Sequence, residues 1–243
     1  MRKLVIISLL AVSTLPIVFV VARAADRSRR INLPTSKTLT LPVPGYLART
    51  NSFPATIALS PNGRYAALLN QGYGTQETGG RQSIAILDLS NNRLQDFPDD
   101  RLSTERSTHQ SYFIGLAFSS DGKHLYASMG SITDPTGEKP PNTGNGIAVY
   151  KFADGRVTPE RFIKIAPQPI VEGKEVAFDL RKTPAGTAIP YPAGFAVLPD
   201  AGGDRLLIAN NLSDNAIVLD AVSGKILQSF DLSRSRYIPS AYP

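Results

Sequence analysis

Cysteine is absent from this chain of 243 residues, and histidine occurs only twice. The lack of cysteine excludes disulfides, thiolate zinc sites and cysteine nucleophiles, and two histidines exclude a multi-histidine metal cluster. Charged residues make up 19% of the chain and hydrophobic residues 42%, which favours a folded core over wholesale disorder. Glycine and proline number 19 each, a content that favours many turns over long helices.

Basic residues exceed acidic ones by 26 to 20, and the formal net charge is +6. Nucleic-acid-binding proteins concentrate lysine and arginine on one face or stripe, but no such cluster occurs after Lys37. Much of the basic excess lies near the N terminus, at Arg2, Lys3, Arg23, Arg27, Arg29 and Arg30. The body of the chain is therefore close to neutral, and we expect no nucleic-acid partner.

The N terminus has the three parts of a secretory signal peptide. Two basic residues precede an apolar run from Leu4 to Val21, and Ala22-Arg23-Ala24 provides a small-residue cleavage pattern. We predict a signal helix over residues 1–24 and export of the body to the periplasm or the extracellular space. The alternative is an uncleaved signal anchor, since the run is long enough to span a bilayer.

Residues 25–52 form a polar tail, in which Lys37–Gly45 has two interpretations. It reads either as an extra strand before the first repeat or as an extended proline-containing linker.

Three segments share a pattern of apolar strand, turn and apolar strand. Each is followed by a second hairpin and then by a more polar strand. Asn62-Gly63 and Asp121-Gly122 stand at the first turn of two repeats, and such dipeptides favour tight hairpins. The first hairpins are Thr56–Asn70, Gly115–Met129 and Gly194–Asn210, and the second hairpins are Ser83–Leu94, Gly146–Val157 and Asn215–Ile226.

Each repeat therefore reads as four antiparallel strands with a gradient from apolar to polar, which is typical of a β-propeller blade. We predict an all-β fold, a partial and open β-propeller of about three four-stranded blades over residues 53–243. The blades are expected at about residues 53–100, 111–167 and 192–233, with the start of a further blade at 234–243. The alternative is a sandwich of unrelated hairpins.

The third repeat carries a family likeness. Its sequence LLIANNLSDNAIVLDAVSGKILQSF, Leu206 to Phe230, resembles the YVTN-type repeat, with Asn210, Asp220, Gly224 and Lys225 on signature positions. The likeness covers about Phe53 to Leu232. The longer loops of the first two repeats are similar to a subgroup in which an exported YncE-like propeller precedes a phosphoesterase domain of alkaline phosphatase type.

That resemblance implies a larger ring than three blades, because YVTN-type propellers typically have seven. It therefore predicts that this chain is the N-terminal piece of a longer protein. The expected partners are the remaining blades and a C-terminal domain of that protein, or another protein on the open edge. A small-molecule ligand is a further expectation.

Strand order places the loop between the second and third strands on the same rim as the loop that enters the first strand. Propellers commonly use this face for ligands, and long loops on a rigid scaffold often carry recognition. The second repeat's loop adds Asp134, Glu138 and Asn142 to the polar groups of this face. The alternative interpretation is ordinary variable surface. The candidate ligand residues are Asn70, Tyr73, Glu77, Arg81, Asn210, Asn211 and Asp214.

Asn70 and Asn210 occupy equivalent ends of second strands. Their carbonyl oxygens, with Glu77 and Asp214, are the ligand types that a gluconolactonase-type propeller would place around one calcium or zinc ion. The alternative is that each asparagine side chain caps its own turn. His109 is a candidate general base, but no nucleophile with an orienting acid stands beside it.

The sequence therefore favours an exported, non-catalytic recognition or scaffold module without a cofactor. A metal-dependent lactonase-type hydrolase, with calcium or zinc, is the alternative. Nucleic-acid binding is the weakest of the three hypotheses.

Overall fold

The computed structural model describes residues 30–32, 38–40, 45, 48–51, 53–72, 82–99, 102, 110–171 and 183–233. Every regular element in these ranges is a β-strand, and they contain no helix capable of spanning a membrane. The predicted signal helix lies outside the described residues. The chain divides into two compact units, Met1–Ala48 and Arg49–Pro243.

Sixteen strands are defined in the described ranges. The strands are β1 (Arg30–Asn32), β2 (Thr38–Thr40), β3 (Pro54–Leu59), β4 (Tyr65–Asn70), β5 (Ser83–Asp88), β6 (Arg93–Pro98), β7 (Ser111–Phe118), β8 (His124–Gly130), β9 (Gly146–Ala153), β10 (Arg156–Lys164), β11 (Gln168–Pro169), β12 (Thr187–Ala188), β13 (Pro192–Leu198), β14 (Arg205–Asn210), β15 (Asn215–Asp220) and β16 (Ile226–Asp231).

Three antiparallel sheets, each of four sequential strands, make up most of the larger unit. Their orders are β3-β4-β5-β6, β7-β8-β9-β10 and β13-β14-β15-β16, and we call them blade 1, blade 2 and blade 3. Four-stranded sheets of sequential order, packed beside one another, are the blades of a β-propeller. The predicted all-β, partial and open propeller is confirmed: most of β3 and all of β16 are exposed.

The first turns of blades 1 and 2 are built by side chains as well as by glycine. In blade 1, Ser60 Oγ donates to Asn62 Oδ1 at 2.7 Å, and Gly63 adopts a φ of 68°. Blade 2 repeats the arrangement, with Ser119 Oγ donating to Asp121 Oδ1 at 2.7 Å. Short polar side chains that bind their own turn stabilise such hairpins, so the repeat pattern in the sequence is also a repeat of hydrogen bonds.

Two hydrophobic clusters lie between the blades. Successive residues of a strand point to opposite faces of the sheet, so blade 2 supplies side chains to both clusters. Cluster 1 joins blades 1 and 2 and includes Leu69, Ile84, Leu116, Leu125 and Tyr150. Cluster 2 joins blades 2 and 3 and includes Tyr126, Val149, Ile208, Ile217 and Leu219.

Two short ladders lie outside the blades. In the smaller unit, β1 pairs with β2. The strand Thr38–Thr40, which pairs with Arg30–Asn32, lies within the segment Lys37–Gly45 that was predicted as an extra strand or a linker. In the larger unit, β11 pairs with β12 within the connection between blades 2 and 3, and the repeat pattern contained no sign of this ladder.

Candidate ligand-binding face

The loops that enter the first strands and leave the second strands meet on one rim, which we call the loop face. The backbone N–H of Gln71 donates to Phe53 O at 3.1 Å, and that of Asn211 donates to Tyr191 O at 3.1 Å. Phe53 and Tyr191 both have positive φ, 55° and 47°. The strand order predicted this shared rim, and blades 1 and 3 build it in the same way.

Glutamine side chains join blades 1 and 2 on the loop face. Gln82 Oε1 accepts the backbone N–H of Tyr112 at 2.6 Å, and Gln82 Nε2 donates to Gln110 O at 2.8 Å. The Gln71 side chain donates to Phe113 O. Sequence reasoning missed all three glutamines, and their one signal is that each stands next to the end of a strand.

Gln110 also fixes the long loop of blade 2, residues 131–145. Its Nε2 donates to Thr143 Oγ1 at 2.8 Å and to Gly144 O at 2.7 Å. Gln110 is buried, so these bonds form away from bulk water. The loop is therefore tied to the entrance of β7.

Inside that loop, Asp134 and Asn142 form the framework. The Asp134 carboxylate accepts the backbone N–H groups of Glu138 at 3.0 Å and Lys139 at 2.9 Å, and Asn142 Nδ2 at 3.0 Å. Both Asp134 and Asn142 are 5% exposed, whereas Glu138 and Lys139 are exposed. Of the three polar residues predicted for this loop, Asp134 and Asn142 therefore stabilise its backbone, and Glu138 is exposed to solvent.

Asn70 lies in a saturated network on blade 1. Its Oδ1 accepts Thr50 Oγ1 at 3.0 Å, and its Nδ2 donates to Ser83 Oγ at 3.1 Å and to Asp96 Oδ1 at 3.4 Å. The residue is fully buried. All of these partners lie outside its own turn, and they join the segment entering blade 1 to its second, third and fourth strands.

Asn210 is also buried, but its network is incomplete. Nδ2 donates to Asn215 Oδ1 at 2.9 Å, while Oδ1 has no hydrogen-bond partner among the described residues. Asn215 in turn donates to Gln168 Oε1 at 3.1 Å. The neighbouring candidates Asn211 and Asp214 are exposed in the turn between β14 and β15.

The two asparagines point to different surroundings. Asn70 follows Leu69, whose side chain belongs to cluster 1, so Asn70 faces away from blade 2. Asn210 shares a face with Ile208 of cluster 2 and therefore faces blade 2. Each asparagine has its own set of partners, and the described ranges contain no group of three or more acidic or histidine side chains placed to hold a metal ion.

Four of the candidate residues cannot be placed by this structure. Tyr73, Glu77 and Arg81 of the first loop, and the candidate base His109, lie outside the described residues. Their roles stay predictions.

A buried chain of hydroxyl groups lies between blades 1 and 2. The hydroxyls of Tyr112 and Tyr150 are 2.5 Å apart, and Tyr150 Oη donates to Asp99 Oδ2 at 2.7 Å. Desolvation raises the pKa of Tyr150 well above its ordinary value, and the neighbouring Tyr112 and Asp99 raise it further. Tyr150 therefore stays protonated and serves as a structural donor.

No protein-family model and no curated protein matches the sequence. Solved structures resemble the chain at low identity. A protein from Lactobacillus plantarum is 18% identical with a TM-score of 0.44, and the match covers 81% of this chain and 45% of that one. A gluconolactonase from Xanthomonas campestris is 18% identical with a TM-score of 0.46, and the match covers 84% and 55%.

The β-propeller domain of Swd1 from Myceliophteria thermophila is 13% identical with a TM-score of 0.32, and the match covers 76% of this chain and 57% of that one. The chain thus spans about half the length of these structures. Likeness at this level concerns the fold alone.

Proposed function

We propose that this chain is an exported recognition module, in which the loop face of a β-propeller segment binds a ligand without transforming it. The observation that carries the proposal is the construction of the loop at residues 131–145. Buried Asp134 and Gln110 hold its backbone in place, while Glu138 and Lys139 remain exposed beside each other. Such a loop presents one acidic and one basic side chain from a fixed backbone, and preorganisation lowers the entropy lost on binding.

The test uses labelled protein on arrays of oligosaccharides and of short peptides. We expect binding to members of one class, weakened by about tenfold or more in the Glu138→Ala/Lys139→Ala double variant. The matched control is Glu160→Ala/Lys164→Ala, which removes the same charges from exposed positions on β10. Binding that is insensitive to the loop variant, or weakened equally by the control, would contradict the proposal.

Absence of turnover is the second arm of this test. Glucono-δ-lactone and 4-nitrophenyl phosphate, each with calcium or zinc added, serve as probes of lactonase and phosphoesterase chemistry. We expect no hydrolysis above that in buffer. Hydrolysis that disappears in His109→Ala or Asn210→Ala would replace the recognition proposal with an enzymatic one.

One observation favours the alternative, a metal-dependent hydrolase of lactonase type. Asn210 Oδ1 is buried and unpartnered among the described residues, and a carbonyl oxygen is a ligand that calcium prefers. Asp214 lies in the turn that follows.

This alternative predicts a metal-dependent increase in thermal stability. An ion that binds the native state raises the Tm by mass action, so millimolar calcium or zinc should raise it in the native chain but not in Asn210→Ala. Asn211→Ala, at the exposed neighbouring position, is the control. Equal melting temperatures with and without metal would exclude an ion at Asn210.

A further inference from the structure

Every blade has two faces with different roles. We call the face that packs on the following blade the leading face, and the face that packs on the preceding blade the trailing face. Cluster 1 joins the leading face of blade 1 to the trailing face of blade 2, and cluster 2 does the same for blades 2 and 3. Among the described residues of the larger unit, no blade covers the trailing face of blade 1 or the leading face of blade 3.

The trailing face of each first strand carries two apolar side chains. In blade 2 they are Leu116 and Phe118, 7% and 6% exposed, and the equivalent pair in blade 3 packs into cluster 2. In blade 1 the same positions hold Ile57 and Leu59, which are 66% and 63% exposed. The trailing face of blade 1 therefore carries the apolar side chains of a blade junction, although no preceding blade is present among the described residues.

The leading face of blade 3 shows the complementary pattern. Phe230 on its fourth strand is 46% exposed, whereas Phe97, at the equivalent position of blade 1, packs against cluster 1. Leu207 on its second strand is 37% exposed, whereas its counterpart in blade 2, Tyr126, is 4% exposed. Blade 3 therefore carries the other half of the same kind of junction.

First strands approach closely at both existing junctions. Thr56 Oγ1 of blade 1 donates to Ile114 O of blade 2 at 2.6 Å. At the equivalent position of blade 2, a Cβ added to Gly115 would lie 2.5 Å from Ala193 O of blade 3. The third equivalent position is Gly194, which has open space on that side. A glycine here leaves room for the first strand of another blade.

Turn residues at the open edges occupy the positions that form hydrogen bonds across an existing junction. At the junction of blades 2 and 3, the turn residue Ser120 donates its N–H and Oγ to the Asp204 carboxylate at 3.0 and 2.5 Å. Arg64 is the counterpart of Asp204 in blade 1. Its side chain is 52% exposed and pairs with Asp88 at 3.0 Å. Asp200 lies in the corresponding turn of blade 3, where it pairs with Arg205 at 2.5 Å.

We propose that the occupant of both open faces is a second copy of this chain. The leading face of blade 3 in one copy packs on the trailing face of blade 1 in the other, and the same junction forms twice. The product is a two-fold ring of six blades, which lies within the range of four to eight at which propellers close. Head-to-tail contacts give a closed ring when the rotation closes. This proposal concerns the edges of the segment and does not rest on the proposed function.

Light scattering and sedimentation of the purified protein provide the test. We expect twice the mass of one purified chain. Ile57→Asp and Phe230→Asp should each raise the dissociation constant by about tenfold or more. Val222→Asp, at a residue that is 66% exposed in the turn between β15 and β16, should leave the dimer intact. A monomeric native protein, an open polymer, or dissociation of the control would overturn the proposal.

Two further experiments test the geometry of the junction. Gly194→Phe adds a side chain where a single copy has open space, so it should block the dimer with an unchanged circular dichroism spectrum. Mixing Ile57→Asp with Phe230→Asp should restore dimers in part, because a mixed pair retains one native junction. Failure of the mixture to recover would overturn the head-to-tail arrangement, as would a native dimer formed by Gly194→Phe.

Discussion

Strand-end carboxylates fasten the blade turns through hydrogen bonds to neighbouring residues. Asp88 pairs with Arg64 at 3.0 Å and accepts Ser90 Oγ, while Asp220 accepts the N–H and Oγ of Ser223 at 2.6 Å. The bond from Arg64, with further bonds from Ser90, lowers the pKa of Asp88 to about 2. The bonds from Ser223 lower the pKa of Asp220. Both acids are therefore polar contacts at the ends of third strands.

The Arg64→Gln variant should raise the pKa of Asp88 toward its usual value of 3.8, because the largest cause of the shift is removed while the weaker bonds from Ser90 and Asn91 remain. A depressed pKa stabilises the fold above the unfolded value, and the contribution is lost as pH falls from about 3.8 toward 2. The measurement is a carboxyl carbon NMR titration. Asp220 serves as the internal control, and an unchanged Asp88 titration would refute the assignment.

Short turns and close strand approaches determine how each element is placed. Gly115 in β7 lies against blade 3, where a Cβ would meet Ala193 O at 2.5 Å and the Phe195 ring at 2.5 Å. A backbone oxygen cannot move aside as easily as a flexible side chain. The glycine therefore sets the distance between two blades.

Gly115→Ala should destabilise the protein by about 1–3 kcal/mol, the usual cost of overpacking. Gly202→Ala is the control, since no atom lies within 4 Å of a Cβ built there, and it should change stability by less than about 0.5 kcal/mol. Urea unfolding measures both values. Equal stability of the two variants would show that the first strands separate readily.

At the scale of the whole larger unit, stability is divided between two junctions. Cluster 1 and cluster 2 contain different residues, and blade 2 contributes to both. Repeat proteins in which each unit contacts only its neighbours open in parts rather than all at once. Blades 1 and 3 should therefore respond separately to damage at their own junctions.

Leu69→Ala in cluster 1 and Ile208→Ala in cluster 2 should each cost about 2–5 kcal/mol, as large-to-small core substitutions do. Hydrogen exchange should increase mainly in Ser83–Pro98 for the first variant and mainly in Asn215–Asp231 for the second. Each variant is the matched control of the other. The same increase in both ranges for both variants would indicate one cooperative unit.

The sequence predicted the strands well because their signals are local. Apolar alternation and the Asn62-Gly63 and Asp121-Gly122 turns act within a single hairpin. The glutamine bridges could not be predicted, since Gln82 and Gln110 meet only after two blades pack. The short β11–β12 ladder was missed for a different reason: its two strands are joined by a long connection that contains no repeat.

The sequence by itself determined the repeat, the class of fold and the rim on which the loops gather, because each follows from residue order within a four-stranded unit. Only the tertiary structure decided which buried polar side chains have hydrogen-bond partners for both their donor and acceptor atoms. Asn70 and Asn210 are equivalent in the repeat, yet one is saturated by Thr50, Ser83 and Asp96, and the other retains a free buried oxygen among the described residues. The difference arises because Thr50, which donates to Asn70 Oδ1, precedes the repeated strands, whereas Ser83 and Asn215 occupy equivalent positions within them.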